Sequence, residues 1–419
     1  MSIDTDPTEA VVVHHEPVFD PETWQDGPPQ AMFRRLRSEC PVHWSARMAE
    51  LPEEAGYWSV TTAEGVREVS MDWQTYSSEI GGFTAATHAG LPLHLANAMF
   101  IGMDPPKHDR LKQLFQRGFT PKRIAEHEER IREITTGVLD GLEGRETVDL
   151  VGEVAQPVVA RVIGSFMGLP PEDDAVWARL MNSLVGAAPV DEDTDTNEYI
   201  RVVMEEDVPE MFRRCNVLIE ERRKNPTDDL TTVLVNAEID GKGLENHEIV
   251  MGFVLLMAAG NDSTKATYCS AMRALLEDAT QRDKLVADPS LIPSAVEEAL
   301  RMFPAFAHFR RTATKDTELL GQPIAEGDKV VMWYVSSNRD ESLYEDPDHF
   351  DVERNPDHQA FGAGGRHYCL GTALARLELR ILLEETLRRW PKMELAGACP
   401  HVISGFANQL REVPVRLNA

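Results

Sequence analysis

The chain has 419 residues, of which 42% are hydrophobic and 27% charged, so it carries enough apolar material for a sizeable core. Its 42 basic and 70 acidic residues give a net charge of −28. This balance argues against a nucleic-acid-binding protein and against attraction to an anionic membrane surface, because both need a basic face.

Residues 1–16 are acidic and lack the basic segment and apolar stretch of a signal peptide. We expect them to be a flexible segment ahead of one domain over residues 17–419. The longest apolar run, Ile249 to Gly260, is shorter than the roughly 20 residues of a membrane span, so no span is predicted. The five cysteines are odd in number and show no zinc or disulfide spacing, which fits a reducing cytoplasm. We expect a cytoplasmic monomer.

Most of the chain has apolar residues at three- and four-residue spacing, which predicts amphipathic helices. They are predicted at Ile124–Leu142, Ala155–Met167, Val203–Lys224, Glu245–Glu277 and Gly371–Trp390. Strands are predicted at Tyr57–Thr61, Thr312–Leu320 and Lys329–Val335, with a terminal hairpin of Val402–Phe406 and Val413–Leu417. No βαβ alternation or long linker divides the chain. The pattern favours a single large domain, mainly α, with small antiparallel β-sheets.

The middle of the longest predicted helix, residues 258–264, concentrates poor helix formers between strongly helical flanks. A widened turn there would open the backbone ladder and make a groove beside a ligand. Alternatively, two helices meet there, with Gly260 ending the first and Asp262 or Ser263 capping the second. Asn246 is expected to cap the start of the whole segment.

Residues 361–371 place three glycines ahead of Cys369 and begin a helix directly after it. Glycine lets backbone N–H groups approach a ligand closely, and the start of a helix favours a thiolate over a thiol. An anionic, hydrogen-bonded sulfur suits an axial ligand of haem iron. A phosphate-binding loop is a weaker interpretation, since neither glycine-rich nucleotide pattern is satisfied. A buried structural thiol is the other alternative.

This loop resembles the haem-binding signature of the cytochrome P-450 superfamily. His367, Cys369 and Gly371 match in place, whereas Phe361 lies one residue further from the cysteine than in the commonest form. The same lengthened loop occurs in bacterial members that oxidise steroid side chains and methyl-branched lipids. The resemblance extends from about Pro17 to the C-terminus, and it implies the cytochrome P-450 fold with heme b, its iron ligated by the Cys369 thiolate.

The resemblance also assigns roles outside the loop. Asp262 and Ser263 fall on the acid and the alcohol of the family's oxygen-activation motif, followed by Thr264, and Ala259 is expected beside the haem. Serine lacks the methyl group that restricts the rotamers of threonine, so weaker coupling of O₂ reduction to product formation is expected.

Further charged and apolar residues match family positions. The expected partners of the haem propionates are His108, Lys112 (in place of the usual arginine), Arg311 and His367. Glu298, Arg301 and Arg354 resemble a buried triad that braces the proximal side. The substrate pocket is expected at Ala258, Phe306, Ala307 and Phe406, and in the 83–100 and 180–208 regions.

The resemblance implies a monooxygenase that hydroxylates an apolar, steroid- or terpenoid-like substrate with O₂. The chain ends 50 residues after Cys369, so electrons are expected from NAD(P)H through a ferredoxin and its reductase. An acidic carrier would suit a patch of Arg110, Lys112, Arg117, Arg366 and Arg376. The alternatives are a hydroxylase of fatty acids or aromatic compounds, a peroxide-driven or isomerising enzyme, a haem-binding sensor and a haem-free interaction protein.

Overall fold

The structure is a computed structural model that describes residues 18–48, 53–85, 92–184, 198, 201–239 and 241–417. The segment 1–16, expected to be flexible, lies outside the described residues. So do parts of the 83–100 and 180–208 regions. The descriptions below apply to the described residues.

Helices make up most of this part of the chain, as the spacing of apolar residues predicted. They are α1 (Gln30–Glu39), α2 (Ala63–Met71), α3 (Leu93–Ala96), α4 (Lys107–Gln116), α5 (Pro121–Glu126), α6 (Glu128–Asp140), α7 (Gln156–Met167), α8 (Asp174–Leu184), α9 (Val208–Lys224), α10 (Leu230–Val235), α11 (Asn246–Glu277), α12 (Ala279–Ala287), α13 (Ile292–Met302), α14 (Tyr334–Ser337) and α15 (Thr372–Arg389). Short π-helical turns at Leu150–Ala155 and Val203–Asp207 lead into α7 and α9.

The strands are short and form small sheets. They are β1 (Val42–Ala46), β2 (Gly56–Val60), β3 (Tyr76–Ser77), β4 (Thr147–Asp149), β5 (Glu238–Ile239), β6 (Lys242–Gly243), β7 (His308–Ala313), β8 (Thr317–Leu319), β9 (Gln322–Ile324), β10 (Lys329–Trp333), β11 (Glu394–Leu395) and β12 (Pro414–Arg416). The largest sheet has the order β1-β2-β10-β7-β3, and a second has the order β11-β12-β4. β5 pairs with β6 and β8 with β9.

The strand predictions need two corrections. β2 and β10 pair in parallel, so the sheets are not all antiparallel. The terminal hairpin is wrong: β12 pairs with β11 and β4, while residues 402–406 form no strand. The alternation of apolar and polar residues at 413–417 predicts a half-buried strand, but it carries no information on which distant strand pairs with it.

The longest helix, α11, is uninterrupted over 32 residues, about 48 Å. Neither a widened turn nor a pair of helices is present at residues 258–264. Polar side chains close bonds within the helix: Ser263 Oγ donates to the carbonyl of Ala259 at 2.7 Å, and Lys265 pairs with Asp262. Packing on both flanks overrides the weak local propensity. The N-cap is Glu245, in a capping box with Glu248, rather than Asn246.

The core is built around α11, which packs against α7, α8, α9, α13 and α15. Because neighbours surround it, apolar residues on several faces of α11 are buried, and its middle section lies at the centre of the molecule. The largest sheet covers a separate cluster of apolar residues, and Phe309 and Arg311 of its strand β7 line the same cavity as residues of α11. This places the sheet, α11 and the segment before α15 around a common space.

One described segment, Leu150–Met167, is long and apolar enough to cross a membrane by length and composition. It comprises the π-helical turn and α7, and 61% of it is buried within the protein. The core helix of a globular domain passes the same test, so the segment is only weak support for a span.

Candidate active site

The segment before α15 is a tight loop in which glycine is needed. Gly362, Gly364 and Gly365 have φ values of +92°, +95° and +78°. A Cβ atom on Gly365 would lie 2.3 Å from the carbonyl oxygen of Ser70. The loop therefore lies directly on the end of α2, and its path carries Cys369 to the start of α15.

The Cys369 thiol lies on the wall of an internal cavity, in surroundings with two opposing effects. Burial raises the pKa of the Cys369 thiol, while the backbone N–H of Gly371 and the positive charges of Lys112 and Arg376 lower it. The donors and cations thus favour a thiolate where burial alone would favour a thiol. The backbone N–H of Cys369 donates to the carbonyl of Phe361 at 2.9 Å, which fixes the sulfur relative to the loop.

The cavity contains about 1430 Å³ of non-protein space, part of it open to solvent. Cys369, Phe361 and Gly371 lie on the loop side. Ala259, Gly260, Ser263, Thr264 and Thr267 of α11 also line it. A thiol and a stretch of long helix therefore border the same space, although the two are more than 100 residues apart in sequence.

Positively charged and imidazole side chains gather at one part of the cavity. Arg311 is 5% exposed, and its Nη1 donates to the carbonyl of Arg310 at 2.7 Å. Among the described residues no carboxylate lies within ion-pair distance of Arg311. Burial lowers its pKa. The rings of His108 and His367 are 4.2 Å apart, and His367 is 3.2 Å from Ser78 Oγ.

A buried guanidinium without a counter-ion is costly unless a ligand supplies the negative charge. The residues that line the cavity suit a porphyrin with two carboxylates, since Arg311, His108 and His367 would hold the carboxylates and the Cys369 sulfur would ligate the iron. Lys112 contributes differently: its Nζ donates to the carbonyls of Arg366 and Tyr368 and so holds the loop itself. No group of three or more metal-binding side chains occurs in the part of the chain that the structure describes.

Asp262, the predicted acid of α11, does not line the cavity. Its Oδ1 is 2.5 Å from Nζ of Lys265, and Nζ also donates to Gln156 at 2.8 Å. Both charged side chains are buried, with exposed fractions of 1% and 7%. Oδ2 of Asp262 is buried and has no hydrogen-bond partner among the described residues. Ser263 lines the cavity next to it, so acid and alcohol are adjacent but face different surroundings.

The charged residues predicted to brace the proximal side form one network. Glu298 and Arg301 are fully buried and joined by two bonds of 2.7 and 2.8 Å. Nε of Arg354 lies 3.1 Å from Glu298. Arg301 also donates to the carbonyls of Asn338 and Pro347, both at 2.9 Å. The network therefore connects α13 to the segment that leads into the cysteine loop.

The comparisons with known proteins agree with this geometry. The family model for cytochrome P-450 matches residues 196–396. The methyl-branched lipid omega-hydroxylase of Mycobacterium tuberculosis is 35% identical over 394 residues, covering 91% of this chain and 90% of that protein. The steroid C26-monooxygenase of the same species is 36% identical over 394 residues, covering 92% and 93%. This chain belongs to the cytochrome P-450 family.

Solved structures agree. A cytochrome P-450 of Mycobacterium marinum in complex with pseudoionone superposes with a TM-score of 0.87 at 32% identity, covering 97% of this chain and 100% of that one. The expected cytochrome P-450 fold is confirmed. The chain is a cytochrome P-450 monooxygenase, and its family implies a haem with a cysteine thiolate ligand.

The predicted pocket residues are only partly brought together. Phe306 lines the cavity of this cytochrome P-450, whereas Ala258, Ala307 and Phe406 are not among its lining residues. Phe406 packs behind Phe306, with ring centres 5.1 Å apart. Ala258 and Ala307 are buried in the core, with exposed fractions of 7% and 0%. Of the four residues expected from family position, the cavity wall therefore includes one.

Glu378 borders the cavity but was not singled out from the sequence. It lies on α15 and accepts a hydrogen bond from Thr264 of α11. Burial raises the pKa of Glu378 to about 8, against the opposing effect of the Thr264 hydroxyl. The signal was present in the sequence: Glu378 is an acid within the apolar stripe that contains Leu374 and Ile381.

Proposed function

We propose that this cytochrome P-450 hydroxylates a neutral, bulky, apolar substrate of the steroid or terpenoid type. It would use O₂ and electrons that pass from NAD(P)H through a ferredoxin and its reductase. The observation that carries the substrate class is the distribution of polar groups around the cavity. Arg311, His108 and His367 would hold the haem carboxylates and Lys112 holds the cysteine loop, so the cavity wall that the structure describes has no further lysine or arginine for a charged substrate.

The rest of the wall is largely apolar. Its large apolar members include Phe100, Ile101, Phe119, Ile163, Leu255, Leu256, Leu300, Phe306 and Phe309. A fatty acid would have to bury its carboxylate against this surface without a cation, which costs several kcal/mol unless the acid is protonated. A steroid or terpenoid buries apolar area with few polar groups, as such a cavity favours.

Two relatives act, by their names, on a methyl-branched lipid and on a steroid, which supports a branched or ring-containing lipid substrate. The lengthened loop around Phe361 points the same way. We therefore favour a branched or ring-containing lipid over the aromatic compounds and straight-chain fatty acids that the sequence left open.

In the proposed reaction the bound haem supplies O₂ activation and oxygen insertion. The residues of the chain manage protons and exclude water. Once its ion pair with Lys265 opens, the Asp262 carboxylate would take up a proton from water on its Oδ2 side and pass it to the Ser263 hydroxyl, which would pass its own proton to a water in the cavity. Ser263 Oγ donates to the Ala259 carbonyl, so its lone pairs can accept a bond from water inside the cavity.

The proposed ferredoxin site is the protein surface beside the cysteine loop. Its candidate cations are already engaged: Arg366 with Asp109 at 3.0 Å, Arg110 with Glu248 at 2.7 Å, and Arg376 with Glu297 at 2.6 Å. Arg366 is the most open of these, with 53% of its side chain exposed. An acidic carrier would therefore compete with carboxylates of this chain, which makes its binding dependent on ionic strength. The five cysteines are unpaired, which fits the proposed cytoplasmic location.

Substrate class is tested by titrating the haem-loaded protein and following the ligand-induced shift of its absorption band. A matched pair would be a steroid or terpenoid alcohol and a fatty acid of the same carbon number. We expect the neutral ligand to bind at least about tenfold more tightly, since each 1.4 kcal/mol is a factor of ten. Tighter binding of the fatty acid would contradict the proposed class.

Electron supply is tested by turnover with ferredoxin, reductase and NADPH. Product formed in proportion to NADPH consumed supports the monooxygenase proposal. Product formed only when hydrogen peroxide is added would favour the peroxide-driven alternative. Tight binding without any product would favour a sensor.

A further inference from the structure

A second charged cluster lies beside the cysteine loop, next to the Glu298 triad but separate from it. The carboxylate of Glu297 on α13 accepts bonds from Nε and Nη2 of Arg376 on α15, at 2.6 and 2.8 Å. Nε2 of His358 lies 3.1 Å from the same carboxylate. Glu297 therefore joins two helices to the segment that leads into the loop.

The His358 ring is held in one orientation. Its Nδ1 accepts the backbone N–H of Ala360 at 3.2 Å, so the ring proton lies on Nε2 and is donated to Glu297. The side chain is 2% exposed. Burial would raise the pKa of Glu297, but the hydrogen bonds from His358 and Arg376 lower it to about 2. The carboxylate is thus charged at neutral pH and keeps both partners in place.

Arg376 and His358 both contact the ring of Phe361. The guanidinium carbon of Arg376 is 4.8 Å from the ring centre, within the range of a cation–π interaction. The His358 and Phe361 ring centres are 5.6 Å apart. The Phe361 carbonyl accepts a hydrogen bond from the backbone N–H of Cys369 at 2.9 Å. Phe361, which these two side chains hold, is therefore hydrogen-bonded to the cysteine.

We propose that Glu297, His358 and Arg376 act as positioning residues for the Cys369 thiolate, by fixing Phe361 and by keeping the Arg376 charge close to the sulfur. The inference rests on the proposed haem ligation by Cys369 and goes beyond the Glu298–Arg301–Arg354 triad. None of the three residues touches the reacting atoms. Their effect is on the direction of the sulfur and on the negative charge it carries.

Three variants of the haem-loaded protein separate the effect of the Arg376 charge from the effect of its contacts with Glu297 and Phe361. Arg376→Gln removes both the charge and the bidentate bond. Arg376→Lys keeps the charge but loses the fork and the flat face that stacks on Phe361. Glu297→Gln keeps Arg376 but releases it from its anchor.

The readouts are the midpoint potential of the haem and the rate at which the reduced carbon monoxide complex loses its thiolate band in mild urea. We expect all three variants to lose the band about tenfold faster. A tenfold change in rate corresponds to about 1.4 kcal/mol of activation free energy, close to the contribution of one charge-assisted hydrogen bond. Only Arg376→Gln should also lower the midpoint potential markedly, because a cation near the thiolate favours the reduced state.

Arg380→Gln is the matched control. Arg380 lies one turn further along α15 and pairs with Glu384 at 3.2 Å and Glu128 at 2.8 Å. It should retain the wild-type potential and band lifetime even where its thermal stability falls. If Arg376→Gln and Glu297→Gln behave like Arg380→Gln in both readouts, the cluster is an ordinary ion pair and the inference is wrong. Absence of the thiolate band from the wild type would instead overturn haem ligation by Cys369.

Discussion

Asp262 forms an ion pair with Lys265 on the same helix. A substitution of similar size therefore tests the role of its carboxylate separately from that of its volume. Replacing Asp262 by Asn keeps the volume and removes the carboxylate that can take up a proton and pass it on. We expect Asp262→Asn to slow turnover by about a hundredfold, the lower end of what a general acid contributes. Haem content and substrate affinity should stay the same, because Asp262 does not line the cavity. Single-turnover kinetics measure the rate, and titrations with haem and with substrate measure haem content and affinity. An unaltered rate would mean that Asp262 takes no part in the proton relay.

Glu378 is a buried acid whose titration should appear in the stability of the protein. Burial raises the pKa of Glu378 from 4.5 to about 8. Between these values the folded protein holds a proton that the unfolded chain releases. The stabilisation of the folded protein by this extra bound proton is therefore fully present below about pH 4.5 and is lost as the pH rises through about 8.

We expect Glu378→Gln, which cannot ionise, to gain stability relative to the wild type as the pH is raised from 5 to 9. Urea unfolding of both proteins across this range measures the difference. The carboxylate of Glu384 is 25% exposed, so Glu384→Gln is a control that should show little of this trend. A constant difference between Glu378→Gln and the wild type would mean that Glu378 titrates normally.

At the scale of elements, the long helix shows where local propensity fails. Weak helix formers at 258–264 predicted an interruption, yet α11 is continuous because α7, α9 and α15 pack around it. The strand errors have a similar origin. The sequence identified the half-buried segment at 413–417, but its partner β4 lies more than 260 residues away. Pairings across such distances are decided by tertiary contacts rather than by a local pattern.

Close packing of α11 against α4 makes a sharp prediction at Gly252. A Cβ atom there would lie 1.9 Å from the ring of Phe115, which is fully buried. We expect Gly252→Ala to destabilise the protein by about 1–3 kcal/mol through overpacking, measured by urea unfolding.

Gly137→Ala provides the matched control. Gly137 is also helical, within α6, and a Cβ atom on it would meet nothing within 4 Å. Since alanine is the better helix former, this variant should gain about 0.5–1 kcal/mol. Equal effects at the two positions would mean that the α4–α11 contact is looser than described.

At the scale of the whole molecule, more of the predicted thiol, cationic and imidazole side chains than of the predicted apolar ones line the cavity. Cys369, Arg311 and His367 occur in ordered motifs and meet at the cavity. The direction of apolar side chains such as Ala258 and Phe406 depends on how α11 and the β7 region pack, and a single sequence does not show this. The ion pairs of Asp262 and Glu297 were missed for the same reason. They depend on contacts between turns and helices rather than on residue type.

The haem-thiolate assignment also accounts for a buried cation without a carboxylate partner in a protein with a net charge of −28. Arg311 is 5% exposed and lines the same cavity as Cys369, where the carboxylates of a haem need positive partners. Its burial is costly unless an anionic ligand fills the space beside it.

The most direct test is the absorption spectrum of the reduced carbon monoxide complex of purified protein, wild type against Cys369→Ser. We predict that the wild type shows the strongly red-shifted band of a thiolate-ligated haem and that Cys369→Ser lacks it. Cys399→Ser, which removes a half-buried thiol, should leave the band intact. A thiolate band that survives in Cys369→Ser, or a wild-type protein that binds no haem, would contradict the account.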